Sequence, residues 1–463
     1  MTEGRFISVA PKLGHVPGFD GIRGFGVMIV LVGHLLPKGY DSLNAIIDTF
    51  FVLSAFLIVS LLMQEHRSQG RIDLRKFFSR RAIRLLPNSY AVMGVWMLIW
   101  LLLSQLVIPG IDRSTATPDM LDAIKSVESI PGNVAAAALY VYHLVYPVGT
   151  GAGPLVQFWS LSVEEQFYGI AAVGVAWMLI TKRRAKSVAV ACVAIFVWVA
   201  ISRYRADLGP WPGRTYSPSI WTRGLHALWL ARPDALLVGV AAAVINARLP
   251  DPLSERAKRI ITALAWVGTV GFVGVLISSV GPFVVSLGPI GQFRIPQLLP
   301  GMPWPEARST ELWCAVAKGK PMRPCDETFW FFRWGFSAMA ISSAFITMGL
   351  ARTREWSVAK FFGWRPFRWL GEISYSLYLW HLLVYLAVSI VLGGLADKPG
   401  GALILFVAKL GAAIAVSYTA HKQIDMRMLG RKLKYAGEAT VLDRRTGKEV
   451  DVTAITKDGD AAP

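Results

Sequence analysis

The chain has 463 residues, 54% of them hydrophobic and only 17% charged, with a formal net charge of +18 at pH 7. That balance excludes a water-soluble globular enzyme and points to a polytopic membrane protein. The positive charge does not mark a nucleic-acid binder, because the basic residues fall in short blocks between apolar runs rather than on one soluble face.

The first apolar segment, FDGIRGFGVMIVLVGHLLPKGY (Phe19 to Tyr40), holds Arg23 and His34 where hydrocarbon is expected. Eleven positions are close to three helical turns, so one helix presents both on the same face, roughly 16 Å apart along its axis. Polar groups in a spanning helix are costly and mark a functional site by default. The bland alternative is a snorkelling arginine and a histidine bonded to a neighbouring helix. The uninterrupted apolar stretch runs only from Phe25 to Leu36. It lacks a small-residue cleavage site and leads straight into a second apolar run, so it is not read as a signal peptide.

By the length criterion of roughly 17 to 25 residues, about ten spans are expected. They lie near 22–40, 43–63, 88–108, 158–180, 186–203, 232–247, 260–280, 330–350, 371–393 and 401–420. Lysine and arginine orient them. The loop from Gln64 to Pro87 carries Arg67, Arg71, Arg75, Lys76, Arg80, Arg81 and Arg84, and later blocks include Lys182-Arg183-Arg184, Arg256 to Arg259, Arg352 to Arg368 and Lys422 to Lys434. All fall on one side, which predicts cytoplasmic termini and outward connections near 109–157, 204–231 and 281–329.

Cys314 and Cys325 share the last outward loop, where an oxidising compartment permits a disulfide, whereas Cys192 reads as a small core residue. That loop is rich in proline and glycine and carries Trp304 and Trp313. It is either a lid or acceptor platform, or an interfacial loop anchored by its aromatics. Beyond Tyr435, TVLDRRTGKEVDVT reads as a hairpin turning at Thr446-Gly447. The fold class expected is all-α, a polytopic membrane helix bundle: residues 1–21 an N-terminal cytoplasmic segment, 22–423 the membrane domain, 424–463 a cytoplasmic tail.

The chemistry must come from the spanning helices. Ser54 (DTFFVLSAFLI) and Glu164-Glu165 (FWSLSVEEQFY) enter from the same side as the His34 end of the first helix. Adjacent helical residues point about 100° apart, so one carboxylate faces the bundle and the other an interface. A histidine with a carboxylate and a nearby hydroxyl suits base-assisted attack by an alcohol. Arg81 and Arg84, three apart beside Arg80, can grip phosphates by paired hydrogen bonds, or they are simply positive-inside charges. Ser374, Tyr378 and His381 share a face of the ninth segment and read as a substrate-path lining or as interhelical hydrogen bonds. Arg232 and Asp234 read as a structural ion pair near an outward interface.

In order along residues 20 to 381 stand DGIRG then GH, FFVLSAFLI, SRRAIRLLP, FWSLSVEEQFY, ARPDALLVG and GEISYSLYLWH. This series resembles acyltransferase family 3, the polytopic bacterial membrane acyltransferases that modify cell-envelope glycans and lipids. The resemblance implies an acyl-CoA-dependent enzyme of the bacterial inner membrane with His34, Glu164 and Arg23 catalytic. Arg81 and Arg84 match arginines associated with acyl-CoA handling. Asp20, Ser54, Trp159, Tyr168, Tyr378 and His381, all within these motifs, complete the expected substrate-binding set. The chain departs from the pattern at Ala55, where the family usually has glycine, and at Asn88-Ser89-Tyr90, where tyrosine normally follows proline more closely.

The mechanism implied has His34 take a proton from an acceptor hydroxyl while Glu164 orients the imidazole, as a carboxylate does in a hydrolytic triad. Arg23 is either a CoA contact or an oxyanion stabiliser, and an acyl-histidine intermediate is the competing route. Acyl-CoA enters as co-substrate, with no metal and no permanently bound cofactor expected. The expected partners are the bilayer, an envelope glycan or glycolipid and a possible envelope-assembly protein, since the chain ends soon after the tenth span with no room for the outward hydrolase-like domain of many relatives. A transporter or flippase for an envelope lipid is the rival reading, with the polar stripe as its pathway.

Overall fold

A computed structural model describes residues 15–36, 41–146, 153–180, 194, 232–277, 335–396 and 398–428, together with four short strands. The first helix, α1 (Pro17–Gly33), starts on a proline, whose fixed φ and missing N–H suit a first turn, and closes on His34 as its C-terminal cap. Helix α2 (Ile46–Gln69) ends at Gly70, which takes the left-handed conformation at φ 69° and donates its N–H to the His66 carbonyl.

Helix α3 (Leu74–Leu102) begins fourteen residues before the span expected at 88–108. The arginine block FFSRRAIR is therefore its opening turns and not a loop. The Asp73 side chain caps it by accepting the Lys76 N–H, Leu and Arg are good helix formers, and Pro87 interrupts only one turn of the ladder. Three short helices, α4 (Pro118–Glu128), α5 (Ile130–Ala138) and α6 (Tyr142–Val145), occupy the connection expected at 109–157.

There follow α7 (Phe158–Ile180), α8 (Pro233–Arg248), α9 (Glu255–Ile277), α10 (Phe336–Arg352), α11 (Ser357–Phe362), α12 (Arg365–Glu372), α13 (Ser374–Leu392) and α14 (Gly401–Ala420), the last running into a π-helical turn over His421–Met426. Each expected span coincides with helix over its described residues, and of 186–203 only residue 194 is described. Among the described residues, α2, α3, α9, α13 and α14 are long and apolar enough to cross a membrane. Helices α1 and α10 have 17 residues and α8 has 16, near the lower limit for a span. Two antiparallel ribbons complete the description: β1 (Val284–Ser286) with β2 (Gln292–Arg294), and β3 (Thr440–Leu442) with β4 (Glu449–Asp451). The second ribbon is the hairpin read from TVLDRRTGKEVDVT.

Helix α2 is the hub. It packs on α8, α10 and α7, and 78% of its apolar window is buried, against 17% for α14. Helix α9 instead turns Val267 and Val270 outward, as a lipid-facing helix would. Helix α1 lies almost backbone to backbone against α11 and α12. A Cβ on Gly21 would sit 1.6 Å from the Phe362 carbonyl oxygen, and one on Gly24 1.9 Å from that of Phe367. Glycines spaced by three thus let α1 approach far more closely than any other residue would permit, and this seating fixes where Arg23 and His34 point.

Candidate active site

His34 ends α1, and its ring Nδ1 lies 2.8 Å from the Val30 carbonyl oxygen. A carbonyl only accepts, so Nδ1 of the neutral ring carries the proton and Nε2 holds a lone pair. The ring stands edge-on to that of His381 from α13, centroids 5.0 Å apart. His381 is fully buried, and its Nδ1 donates to the Leu377 and Tyr378 carbonyls at 3.1 and 2.9 Å. Two histidines from different helices therefore meet in the same tautomer. One turn of its own helix orients each of them.

The carboxylate expected to orient His34 is engaged elsewhere. Glu164 Oε1 accepts from Ser54 at 2.9 Å, and Ser54 in turn accepts from the Tyr168 hydroxyl at 3.0 Å. The Arg81 guanidinium lies over the Tyr168 ring, 3.4 Å from its centroid, and pairs with Glu165 Oε1 at 3.6 Å. Helices α2, α3 and α7 are thus joined by a line running Glu164, Ser54, Tyr168, Arg81, Glu165. Among the described residues the histidine pair and this line are separate groups, and the imidazole takes its orientation from Val30.

Arg23 donates to Ser374 Oγ at 3.0 Å, at the start of α13 and two to three turns from the histidines. Arg84 is exposed on α3, whereas Arg80 pairs with Glu65 at 3.1 Å. Asp20 is buried near the start of α1, 3.5 Å from His15. Trp159 is 5% exposed, edge-on to Phe51 and 5.6 Å from the Arg232 guanidinium. The Tyr378 hydroxyl bonds Ser160 at 2.6 Å and the Gln157 carbonyl at 3.1 Å, which ties α13 to the head of α7. Cys314 and Cys325 lie outside the described residues.

Two buried groups have contacts that the sequence did not show. Arg232 is fully buried and meets Asp48 of α2 at 2.8 Å, with its guanidinium 3.8 Å from the Phe336 ring centroid. Asp234 accepts from Ser337 at 2.7 Å. Arg232 thus has a carboxylate partner on a distant helix, which adjacency in sequence gave no way to see. Asn88, noted only as a departure from a pattern, donates to Ser376 and Asp425 and accepts from the Trp380 indole at 2.9 Å. Asp425 also accepts from Ser376 at 2.7 Å and lies 3.1 Å from His421 Nδ1. An aspartate amid the basic run HKQIDMRM was the one available signal.

The site lies within a stretch that has relatives of related chemistry. The sequence is 24% identical over 380 residues to the O-acetyltransferase OatA of Staphylococcus aureus (strain NCTC 8325 / PS 47), covering 81% of this chain and 51% of that one. It is 26% identical over 372 residues to YrhL of Bacillus subtilis (strain 168), provisionally named a peptidoglycan O-acetyltransferase, covering 79% and 48%. A similar match, 25% over 394 residues, covers 83% of this chain and 53% of SACOL0978 of S. aureus (strain COL), provisionally named an O-acetyltransferase. The chain spans about half the length of these curated relatives. No solved structure matches it. The sequence model described as an acyltransferase domain matches residues 16–422, nearly the whole chain and every helix of the site, and the chain belongs to that family, acyltransferase family 3.

Proposed function

We propose that the chain is an integral membrane O-acyltransferase that moves a short acyl group, acetyl or similar, from cytoplasmic acyl-CoA to a hydroxyl of an extracytoplasmic glycan or glycolipid. The observation that carries this reading is His34 itself. Its Nδ1 proton is committed to Val30, so Nε2 is left as the acceptor a general base requires, at the end of the glycine-seated helix. The provisional name of YrhL, a peptidoglycan O-acetyltransferase, supports a glycan such as peptidoglycan as the acceptor class, and the name of OatA supports O-acetyl transfer.

In the reaction, His34 Nε2 removes the acceptor hydroxyl proton as the oxygen attacks the thioester carbonyl. The C–O bond forms, the C–S bond breaks, and the imidazolium returns the proton to the departing thiolate. Arg23, held at Ser374, brings a positive charge toward the thioester and its phosphates. Glu164 acts through Ser54 and Tyr168, holding the α2–α7 wall of the path, rather than on the imidazole directly. Arg84, exposed at the basic end of α3, faces the CoA entry side with Arg80.

Inside-out and right-side-out vesicles loaded with acceptor-bearing envelope lipid test the sidedness. Acyl-CoA added to the exposed cytoplasmic face should drive ester formation only in inside-out vesicles. Equal rates from both faces would sink the cytoplasmic-donor assignment.

A further inference from the structure

His381 Nε2 is buried and, among the described residues, has no hydrogen-bond partner. Such an atom inside a protein calls for an explanation, because an unpaired buried acceptor loses its hydration without return. Its ring is enclosed by His34 at 5.0 Å, Tyr385 at 5.7 Å and Tyr378 at 5.9 Å between centroids. Both tyrosine hydroxyls are spent: Tyr378 on Gln157, and Tyr385 on the Leu31 carbonyl at 3.2 Å. Among the described residues, none therefore supplies a donor for this nitrogen.

The tautomers give the lone pair a meaning. Both Nδ1 protons are fixed on main-chain carbonyls, so the neutral pair, with ring centroids 5.0 Å apart, offers an acceptor at each Nε2 and no donor. One hydroxyl carries one proton and can satisfy only one of them. An alcohol that satisfies both must present two hydroxyl groups.

We propose that His381 is an acceptor-binding and specificity-determining residue: its Nε2 receives a second hydroxyl of the acceptor while His34 Nε2 receives the reacting one. The glycan or glycolipid acceptor is thereby narrowed to one with a free hydroxyl close to the one acylated. This rests on the reading of His34 as the base. His381 transfers no proton in the reaction and acts by holding the acceptor in register.

The test compares glycerol with 1-propanol, three-carbon acceptors that differ in the extra hydroxyls, using radiolabelled acetyl-CoA and the full chain in proteoliposomes. Wild type should favour glycerol by about tenfold beyond the statistical factor of about three, the size of one well-placed hydrogen bond. In His381→Phe the ratio should fall to the statistical factor. An unchanged ratio in His381→Phe overturns the proposal and leaves the acyl-transfer reading intact.

A second measurement needs neither turnover nor a variant. Nitrogen-15 histidine spectra of wild type in bilayers should show His34 and His381 as Nδ1–H tautomers, with glycerol shifting both Nε2 signals and 1-propanol only one. A His381 proton on Nε2, or equal responses to the two alcohols as a bridging water would give, overturns the pair as a polyol site. If wild type acylates neither alcohol, the transfer reading fails for these acceptors, and the spectra alone decide the binding site.

Discussion

At the scale of the residue, what was legible was chemical type and what was hidden was partnership. Arg23 and His34 announced themselves by standing in an apolar run, and the spacing of eleven positions was sufficient to put both on one face of α1. The orienting partner of His34 was misplaced because a local i−4 carbonyl satisfies Nδ1 before any distant carboxylate can, a contact without sequence signature. Arg232 shows the same blindness, since its partner Asp48 lies in another helix. With side chains 0% and 1% exposed, that pair carries a definite expectation. Arg232→Ala strips a buried carboxylate of its cation and should cost about 3–5 kcal/mol, read as loss of monodisperse protein and a lower unfolding temperature in detergent. A variant that purifies and melts like wild type would show that the pair does not hold α2 to α8. Ser54→Ala removes the link between Tyr168 and Glu164 but not the base, so transfer should fall about tenfold, well short of the 10²–10⁴ that a general base contributes. A loss as complete as that of His34→Ala would make Ser54 a direct participant.

At the scale of the element, hydropathy placed the helices and misjudged where α3 begins, because a window that seeks hydrocarbon discards charged turns even when nothing in them breaks a helix. The Asp73 cap settles that boundary. Its carboxyl is held below the usual carboxylate range chiefly by the Lys76 N–H it accepts, so the stabilisation is present above the pKa of the free side chain and is lost as pH falls through the lower value of the folded state. Amide exchange at residues 74–77 should therefore accelerate in Asp73→Ala at pH 6, and in wild type only at strongly acid pH. Equal protection in the variant at pH 6 would mean that the cap contributes nothing. The seating of α1 makes a sharper claim. Gly24→Ala drives a methyl into the Phe367 carbonyl, so α1 must move away from α12 and carry His34 out of register with His381. Activity should be lost while the protein still inserts in the membrane; full activity would show that α1 tolerates a looser seat.

At the scale of the whole molecule, composition sufficed for the class, all-helical with several apolar spans, and the ordered motifs sufficed for the family. The interleaving of helices was not legible, because packing partners far apart in sequence leave no periodic trace. It is this interleaving that gathers α1, α2, α3, α7 and α13 around two polar groups, one of paired histidines and one of alternating acid, hydroxyl and arginine. The basic blocks further predict that both termini face the cytoplasm. Single cysteines placed near residue 5 and residue 455 should then react with an impermeant maleimide only in inside-out vesicles, and labelling of either one from the outer face would reverse the bundle. The central claim is that His34 performs the transfer. It is tested by following label from radiolabelled acetyl-CoA into envelope glycan and glycolipid fractions with wild type and His34→Ala at matched membrane levels. The account predicts label in one fraction with wild type alone; label that persists undiminished in His34→Ala would contradict it.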